Sequence, residues 1–212
     1  MRTILCSLML ASLAIAGGQE GPANTNVIAL YNQFTQEPPA AVKTALEDEL
    51  DTIMGPLGLR FEWRDLHAKG MQAPTAELAV ISFKGRCDVS GLNMHEIYGP
   101  GPLGWTHISD GQILPYADID CAGLRGFLER SLLKLPVSQR EEAFGRAIGR
   151  VLAHELYHIF ADTTRHGSCG VAKEAYTVDD LMATNFRFEA RESKALRESK
   201  ASAALEGAVE QR

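Results

Sequence analysis

The stretch Val151–Gly167, VLAHELYHIFADTTRHG, determines how the rest of the sequence is interpreted. It closes a helical pattern in which apolar residues recur every three or four positions. At 100° per residue, His154 and His158 fall about 40° apart on an arc beside the apolar face. Glu155 lies between the histidine arc and the apolar arc. The pattern therefore predicts an amphipathic helix that presents two imidazoles and a carboxylate close together.

The spacing of these three residues has a chemical reason. Two imidazoles one helical turn apart can both bind one zinc ion at about 2.1 Å. A catalytic zinc takes three protein ligands and leaves one position for water, whose pKa it lowers towards about 7. Glu155 cannot easily bind the same ion from its angle, but it can reach that water and accept its proton. We therefore interpret His154 and His158 as zinc ligands and Glu155 as the general base.

The third ligand must come from outside the helix, and His166 is the first candidate. The intervening segment IFADTTR contains one Asp and two Thr, residue types that end helices and make turns. A turn there is needed if His166 is to reach the ion. Four other residues remain open as ligands: Asp162, Glu174, Asp179 and Cys169.

This segment resembles the zincin metallopeptidases, and among them the metzincin-like branch with the motif H-E-x-x-H-x-x-G-x-x-H. The sequence matches the first five positions of the motif. Ala161 then stands where the family has a glycine, and the third histidine comes two residues late, as in an extended-loop variant of the kind seen in predicted secreted bacterial metalloproteases. The resemblance implies a secreted zinc-dependent endopeptidase with Glu155 as catalytic base. It implies three zinc ligands, His154, His158 and His166.

The chain departs from this family again after the third histidine. The segment GSCGVAK (167–173) has no methionine for the turn that underlies the metal in the family. Met182 could replace it, but it stands within a predicted helix. Tyr157 and Tyr176 are candidates for a hydrogen-bond donor to the transition state.

A strand–helix–strand pattern precedes the long helix. VIALYNQF (27–34) and LRFEWRDL (59–66) have strand patterns, and AAVKTALEDELDTIMG (40–55) has a helical one. A crossover of that length implies a parallel, right-handed unit. The mostly apolar run ELAVISFKG (77–85) predicts a third strand in the centre of the sheet.

A hairpin is predicted over residues 105–120. The Asp-Gly dipeptide at 110–111 stands between two alternating runs, which is a strong turn signal. Pro115 in the second run indicates a sheet edge or a bulge, because proline cannot donate to a strand ladder. The next predicted helix, 122–135, is closed by Pro136.

Two capping boxes are predicted in the second half of the chain. Ser138 with Glu141 begins the long helix, which ends near residue 160 or 162, and Thr177 with Asp180 begins the next one. The last 25 or so residues mix charge with alanine and have no clear apolar stripe. They are expected to form a solvated helix or a loose tail.

These elements predict an α+β fold of the zincin-like kind. We expect a mixed twisted sheet with an antiparallel edge hairpin, packed on the long active-site helix, and a further C-terminal helix. The predicted organisation is a signal peptide over 1–16, the metallopeptidase domain over 17–186 and a charged helix or tail over 187–212.

The N-terminus has the pattern of an export signal. Arg2 precedes an apolar run from Ile4 to Ala16, which ends in an A-x-A pattern before Gly17. We expect cleavage there and a secreted or periplasmic protein that is not attached to the membrane. An uncleaved N-terminal anchor is the alternative, although the run is short for a membrane span.

Cysteine usage agrees with an oxidising compartment. Removal of the signal leaves Cys87, Cys121 and Cys169, which allow three pairings or none. Cys87 and Cys121 both stand at the ends of predicted strands, so this pair is favoured as a disulfide. Cys169 is then the odd thiol.

Composition limits the partners of the protein. The formal net charge is −6 and no basic cluster precedes the C-terminus, so neither nucleic acid nor an anionic membrane is expected as a partner. A monomer is expected. The resemblance implies a peptide substrate paired with an edge strand of the Trp105–Asp120 hairpin. His95 and His107 lie in or near that region and are interpreted as surface residues first, cleft residues second.

Two other functions remain open from the sequence. A zinc hydrolase acting on another amide, such as a cell-wall peptide or an acyl group, would use the same ligands. A catalytically silent zinc-binding interaction domain would instead close the coordination shell with a fourth ligand. Cys169 or Glu174 could supply that ligand.

Overall fold

A computed structural model describes residues 27–70, 72–92, 101–199, 201 and 203. The predicted signal peptide and His95 lie outside the described residues. Five strands and five α-helices follow one another along the described chain: β1 (Ile28–Gln36), α1 (Ala40–Met54), β2 (Phe61–Asp65), β3 (Glu77–Arg86), β4 (Gly104–Ser109), β5 (Gln112–Asp120), α2 (Cys121–Lys134), α3 (Val137–Phe160), α4 (Val178–Met182) and α5 (Ala190–Arg197). Short 3₁₀ helices form at Gly55–Leu57 and Gly170–Ala172.

The five strands form one mixed sheet in the order β2-β1-β3-β5-β4. Strand β1 is parallel to both β2 and β3, β3 is parallel to β5, and β4 is antiparallel to β5. The predicted α+β class, the parallel first unit and the antiparallel edge hairpin are therefore confirmed. Strand β3 is central, as its apolar run predicted.

The hairpin turn uses two residues with positive φ, Asp110 at 50° and Gly111 at 78°. Such a turn matches the right-handed twist of the flanking strands. The register between β4 and β5 shifts between Thr106 and Ile108, opposite the part of β5 that contains Pro115. The predicted bulge near Pro115 is thus present, where its missing N–H costs no ladder bond.

Helix α3 lies against α1 at close range because two of its residues are glycines. A Cβ on Gly145 would collide with the Val42 carbonyl, and one on Gly149 would lie 2.8 Å from the Leu46 carbonyl oxygen. The guanidinium of Arg150 then joins three helices, since it pairs with Glu49 of α1 at 2.7 Å and donates to two backbone carbonyls of α4. These contacts fix α3 and the segment that follows it.

The predicted capping box at the start of α3 is wrong. Pro136 takes the N-cap position with an extended backbone, and no side chain caps this end. Ser138 lies one residue inside the helix, whereas a capping side chain must come from the non-helical residue before it. The box of Thr177 with Asp180 at α4 is confirmed in both of its hydrogen bonds.

Cys87 and Cys121 form the predicted disulfide, between the end of β3 and the start of α2. Cys169 is a free, exposed thiol. Such a bond is typical of proteins in oxidising compartments. Among the described residues, no helix has both the length and the apolar character needed to cross a membrane.

The C-terminal region contains the helix α5, and its side chains are partly buried. Leu196 is fully buried and Glu192 nearly so. The sequence predicted only a solvated helix or a tail here, because one buried leucine does not form a visible apolar stripe. Residues 200, 202 and 204–212 lie outside the described part.

Candidate metal centre

Helix α3 brings His154 and His158 together on successive turns. Their side chains are buried, with 7% and 8% of their surface exposed, and their Nε2 atoms lie 3.0 Å apart. The His154 Nδ1 donates to the Val171 carbonyl at 2.8 Å, and the His158 Nδ1 donates to the Thr163 carbonyl at 2.7 Å. Hydrogen bonds of this kind fix the orientation of metal-binding imidazoles.

These hydrogen bonds also decide the protonation of both rings. A carbonyl oxygen can only accept, so each Nδ1 carries the proton and each Nε2 is left with a lone pair. Two lone pairs that face each other at 3.0 Å repel, and a cation or proton between them removes the repulsion. The pair is therefore chemically suited to a metal ion.

His166 supplies a third imidazole at the same place. Its ring centroid lies 5.2 Å from that of His154 and 4.9 Å from that of His158. One nitrogen from each of the three rings lies within 4.8 Å of the other two. In a tetrahedral zinc site, neighbouring nitrogens are about 3.4 Å apart, so small side-chain adjustments would let all three bind one ion. His166 is exposed, unlike the other two rings.

A left-handed residue turns the chain after α3. Asp162, one position after Ala161, has a φ of 46°. Aspartate adopts this conformation more readily than most side chains. The Thr163 amide then donates to the His158 carbonyl at 3.2 Å, which closes the helix end. Asp162 thus makes the turn that the sequence predicted between His158 and His166.

Contacts on the far side hold the backbone of His166. The Arg191 guanidinium of α5 donates to the His166 carbonyl at 3.2 Å. The next amide, that of Gly167, donates to the Ala172 carbonyl at 2.7 Å. Helix α5 and the Gly170–Ala172 turn therefore position the third histidine.

Glu155 lies beside the three rings and is 5% exposed. The Thr106 hydroxyl of β4 lies 2.8 Å from its Oε2 and 3.2 Å from its backbone carbonyl oxygen. Burial raises the pKa of Glu155 to about 7, although the hydrogen bond from Thr106 acts in the opposite direction. A carboxyl with this pKa can both accept and donate a proton near neutral pH.

Burial also keeps the two helical histidines neutral. It lowers the pKa of His154 to about 4, and it lowers the pKa of His158, while the bonds to the backbone carbonyls partly oppose both shifts. Neutral imidazole is the form that binds a metal ion. The metal-binding form therefore predominates at neutral pH.

The other ligand candidates lie outside the cluster. Among the described side chains, the group close enough to share an ion consists of the three histidines alone. Asp162, Asp179 and Cys169 do not join it, and Glu174 lines the neighbouring cavities instead.

The two tyrosine candidates differ in position. The Tyr176 ring meets His154 edge-on at 5.6 Å, and its hydroxyl donates to the same Val171 carbonyl that accepts from His154. Tyr157 is buried against Phe188.

Two further candidates from the sequence lie apart from the cluster. Met182 is the last residue of α4 and lines neither cavity of the site. His107 belongs to a polar cluster on the sheet, where its Nε2 lies 2.8 Å from Asp118 and its ring packs on Tyr116.

Two cavities meet at the cluster. The larger, of about 680 Å³, extends towards α2, and the smaller, of about 290 Å³, extends along β4. Five residues line both: Pro102, Gly104, His154, Glu155 and Glu174. The three imidazoles and the carboxylate thus lie midway along a cleft that is open on both sides of them.

No protein-family model, curated protein or solved structure matches this chain. The geometry of the cleft is therefore the basis for a functional conclusion.

Proposed function

We propose that the protein is an exported zinc-dependent endopeptidase of the zincin kind. One observation carries the proposal: three imidazoles converge beside a buried carboxylate, and that carboxylate is hydrogen-bonded to the edge strand of the sheet. Ligands, base and a strand able to bind a peptide are then in one cleft. The Cys87–Cys121 disulfide and the predicted signal peptide support action outside the cytoplasm.

The donor set favours zinc in a catalytic arrangement. His154, His158 and His166 would hold the ion through ring nitrogens, a set common to catalytic zinc sites, which keep one position open. Among the described residues no fourth side chain joins them, which disfavours a closed structural site and a silent binding domain. Bound zinc would supply Lewis-acid chemistry, because it lowers the pKa of water and polarises a carbonyl oxygen.

Glu155 would handle the proton. As a water molecule attacks the peptide carbonyl, the Glu155 carboxylate accepts one of its protons and then passes it to the leaving nitrogen. The raised pKa suits both steps, and the Thr106 hydroxyl holds the carboxylate in place.

The edge strand would hold the substrate. Among the described residues, strand β4 pairs with β5 alone, so its other side offers backbone groups that could pair with an extended peptide. Trp105, Ile108 and Ile113 line the smaller cavity beside it and offer apolar contacts. Cavities on both sides of the base let a chain continue in both directions, which favours cleavage within a peptide over removal of a terminal residue.

Metal removal and restoration test the proposal. We expect the zinc-loaded protein to cleave an unstructured protein substrate, to lose that activity on chelation and to regain it with one equivalent of zinc. Activity that persists after complete zinc removal, shown by elemental analysis, would reject zinc-dependent catalysis. A zinc-loaded protein that cleaves small acylated amides but no peptide would favour the other amide hydrolase.

A further inference from the structure

The larger cavity has walls suited to a long side chain. Leu103, Phe127 and Val151 line it with apolar surface, and Gly123 and Gly126 of α2 leave room between them. Its volume of about 680 Å³ exceeds what a peptide backbone alone would need. Because it adjoins Glu155, a side chain that enters it belongs to a residue next to the scissile bond.

Two further carboxylates line the same cavity. Asp120 caps α2 through one oxygen, which accepts from the Gly123 amide at 2.9 Å. Its other oxygen has no partner within the described residues, and neither does the exposed Glu174 carboxylate. The cavity therefore offers acceptors that a substrate can use.

Cations are missing from the lining on the described part of the chain. No Lys or Arg lines either cavity, and the adjacent Lys173 is paired with Asp180 at 2.7 Å. An acidic side chain in the larger cavity would be repelled, and an apolar one would partly desolvate two carboxylates without pairing them.

We propose that the larger cavity receives a lysine or arginine side chain next to the scissile bond, an assignment that rests on the proposed peptidase function. The aliphatic stem lies against the apolar wall, while the charged head reaches the carboxylates of Asp120 and Glu174. These two residues then determine specificity, and the substrate class is peptides with an internal basic residue.

Capped peptides test the assignment. Peptides acetylated and amidated at their ends, with lysine, arginine, norleucine or glutamate at one varied position, are compared on the zinc-loaded full chain. We expect kcat/KM for lysine and arginine peptides to exceed that for the norleucine peptide by about tenfold at the position beside the cleaved bond. Equal kcat/KM values for the lysine, arginine and norleucine peptides would overturn the proposal.

Variants of Asp120 and Glu174 test whether these two residues cause the preference for basic peptides. Asp120→Asn combined with Glu174→Gln removes both charges and keeps an N-cap acceptor for α2. We expect the lysine-to-norleucine ratio to fall to about one in this variant. Asp179→Asn is the matched control, because it removes a nearby charge that lines neither cavity, and its ratio should equal that of the wild type. An equal fall in the control would overturn the assignment.

Measurements of peptide binding distinguish failure of the cavity assignment from failure of the proposed peptidase function. Affinities of the same capped peptides are measured by fluorescence anisotropy alongside hydrolysis. Cleavage without a basic preference rejects the cavity assignment and leaves the peptidase standing. Tighter binding of basic peptides without any cleavage supports the cavity assignment and rejects the peptidase. If basic peptides are neither bound more tightly nor cleaved, both the cavity assignment and the peptidase function are rejected.

Discussion

The Thr106 hydroxyl on β4 lies 2.8 Å from Oε2 of Glu155 on α3. This hydrogen bond joins the edge strand to the carboxylate, although the two residues are 49 positions apart in the sequence. A strand that binds substrate would therefore also position the base. If the proposed function holds, the docking of β4 on α3 would be part of the catalytic arrangement.

Replacement of Thr106 tests that link. Thr106→Val keeps the shape and removes the hydroxyl, so Glu155 loses the bond that fixes its carboxylate. We expect kcat/KM to fall by about tenfold, in line with the loss of one hydrogen bond to a charged group. Thr106→Ser keeps the hydroxyl and should stay near the wild-type rate, with equal zinc content in both variants. A valine variant as active as the serine variant would show that the bond has no role.

His166 is the least buried member of the cluster, and its contribution to metal binding can be measured directly. His166→Ala leaves two ligands. Mutation of a residue that only supports a ligand lowers metal affinity by about 10- to 100-fold, so we expect loss of a ligand itself to lower zinc affinity by about a hundredfold or more. His107→Ala is the control, because that histidine pairs with Asp118 away from the cluster. Competition with a chromogenic chelator gives both affinities. Equal affinities in the two variants would exclude His166 as a ligand.

The Cys87–Cys121 disulfide should make a large contribution to stability. The bonded residues are 34 positions apart, and closing such a loop stabilises the fold by roughly 3–4 kcal/mol on the chain-entropy estimate. We expect Cys87→Ala with Cys121→Ala to lower the free energy of unfolding by that order in denaturant titrations. Cys169→Ala, at an exposed free thiol, should change little. A double variant as stable as this control would contradict the prediction.

Asp180 should make stability depend on acid pH. The ion pair with Lys173 and the hydrogen bonds from Thr177 lower its pKa from 3.8 to about 2. A lowered carboxyl pKa stabilises the fold above the unfolded-state value, and the stabilisation is lost as the pH falls towards the folded value. Asp180→Asn should therefore cost about 1 kcal/mol near pH 6.

The difference in the free energy of unfolding between the wild type and Asp180→Asn should become smaller as the pH falls below about 4. Thermal unfolding of both proteins at several pH values measures it. Asp179→Asn serves as the control, because it removes an exposed carboxylate from the same first turn of α4. A gap that is constant with pH would show that the charge of Asp180 has no part in the stabilisation.

The order and type of the sheet elements could be predicted because their signals are local. The apolar run 77–85 indicated a central strand, and the Asp-Gly dipeptide at 110–111 indicated the hairpin turn. The two helical histidines also follow from helical periodicity alone. Ser138 is not the N-cap because the helix already begins directly after Pro136. Capping preferences alone do not show which of these two residues takes the N-cap position.

What could not be predicted depends on contacts between distant segments. The contact of Thr106 with Glu155 could not be predicted, because neither the alternating pattern of β4 nor the helical pattern of α3 shows that this strand packs on this helix. The sequence predicted a turn between His158 and His166, but not the left-handed backbone at Asp162 that makes it. Glu174, a ligand candidate from the sequence, lines the cleft instead.

The most direct test of catalysis by this cleft is peptide hydrolysis by Glu155→Gln with its zinc content measured on the same sample. Glutamine keeps the size of the side chain and cannot take the proton, while the three imidazoles are unchanged. We expect full zinc occupancy and a rate at least about a hundredfold below that of the wild type. A zinc-loaded glutamine variant that cleaves peptides at the wild-type rate would contradict the central claim.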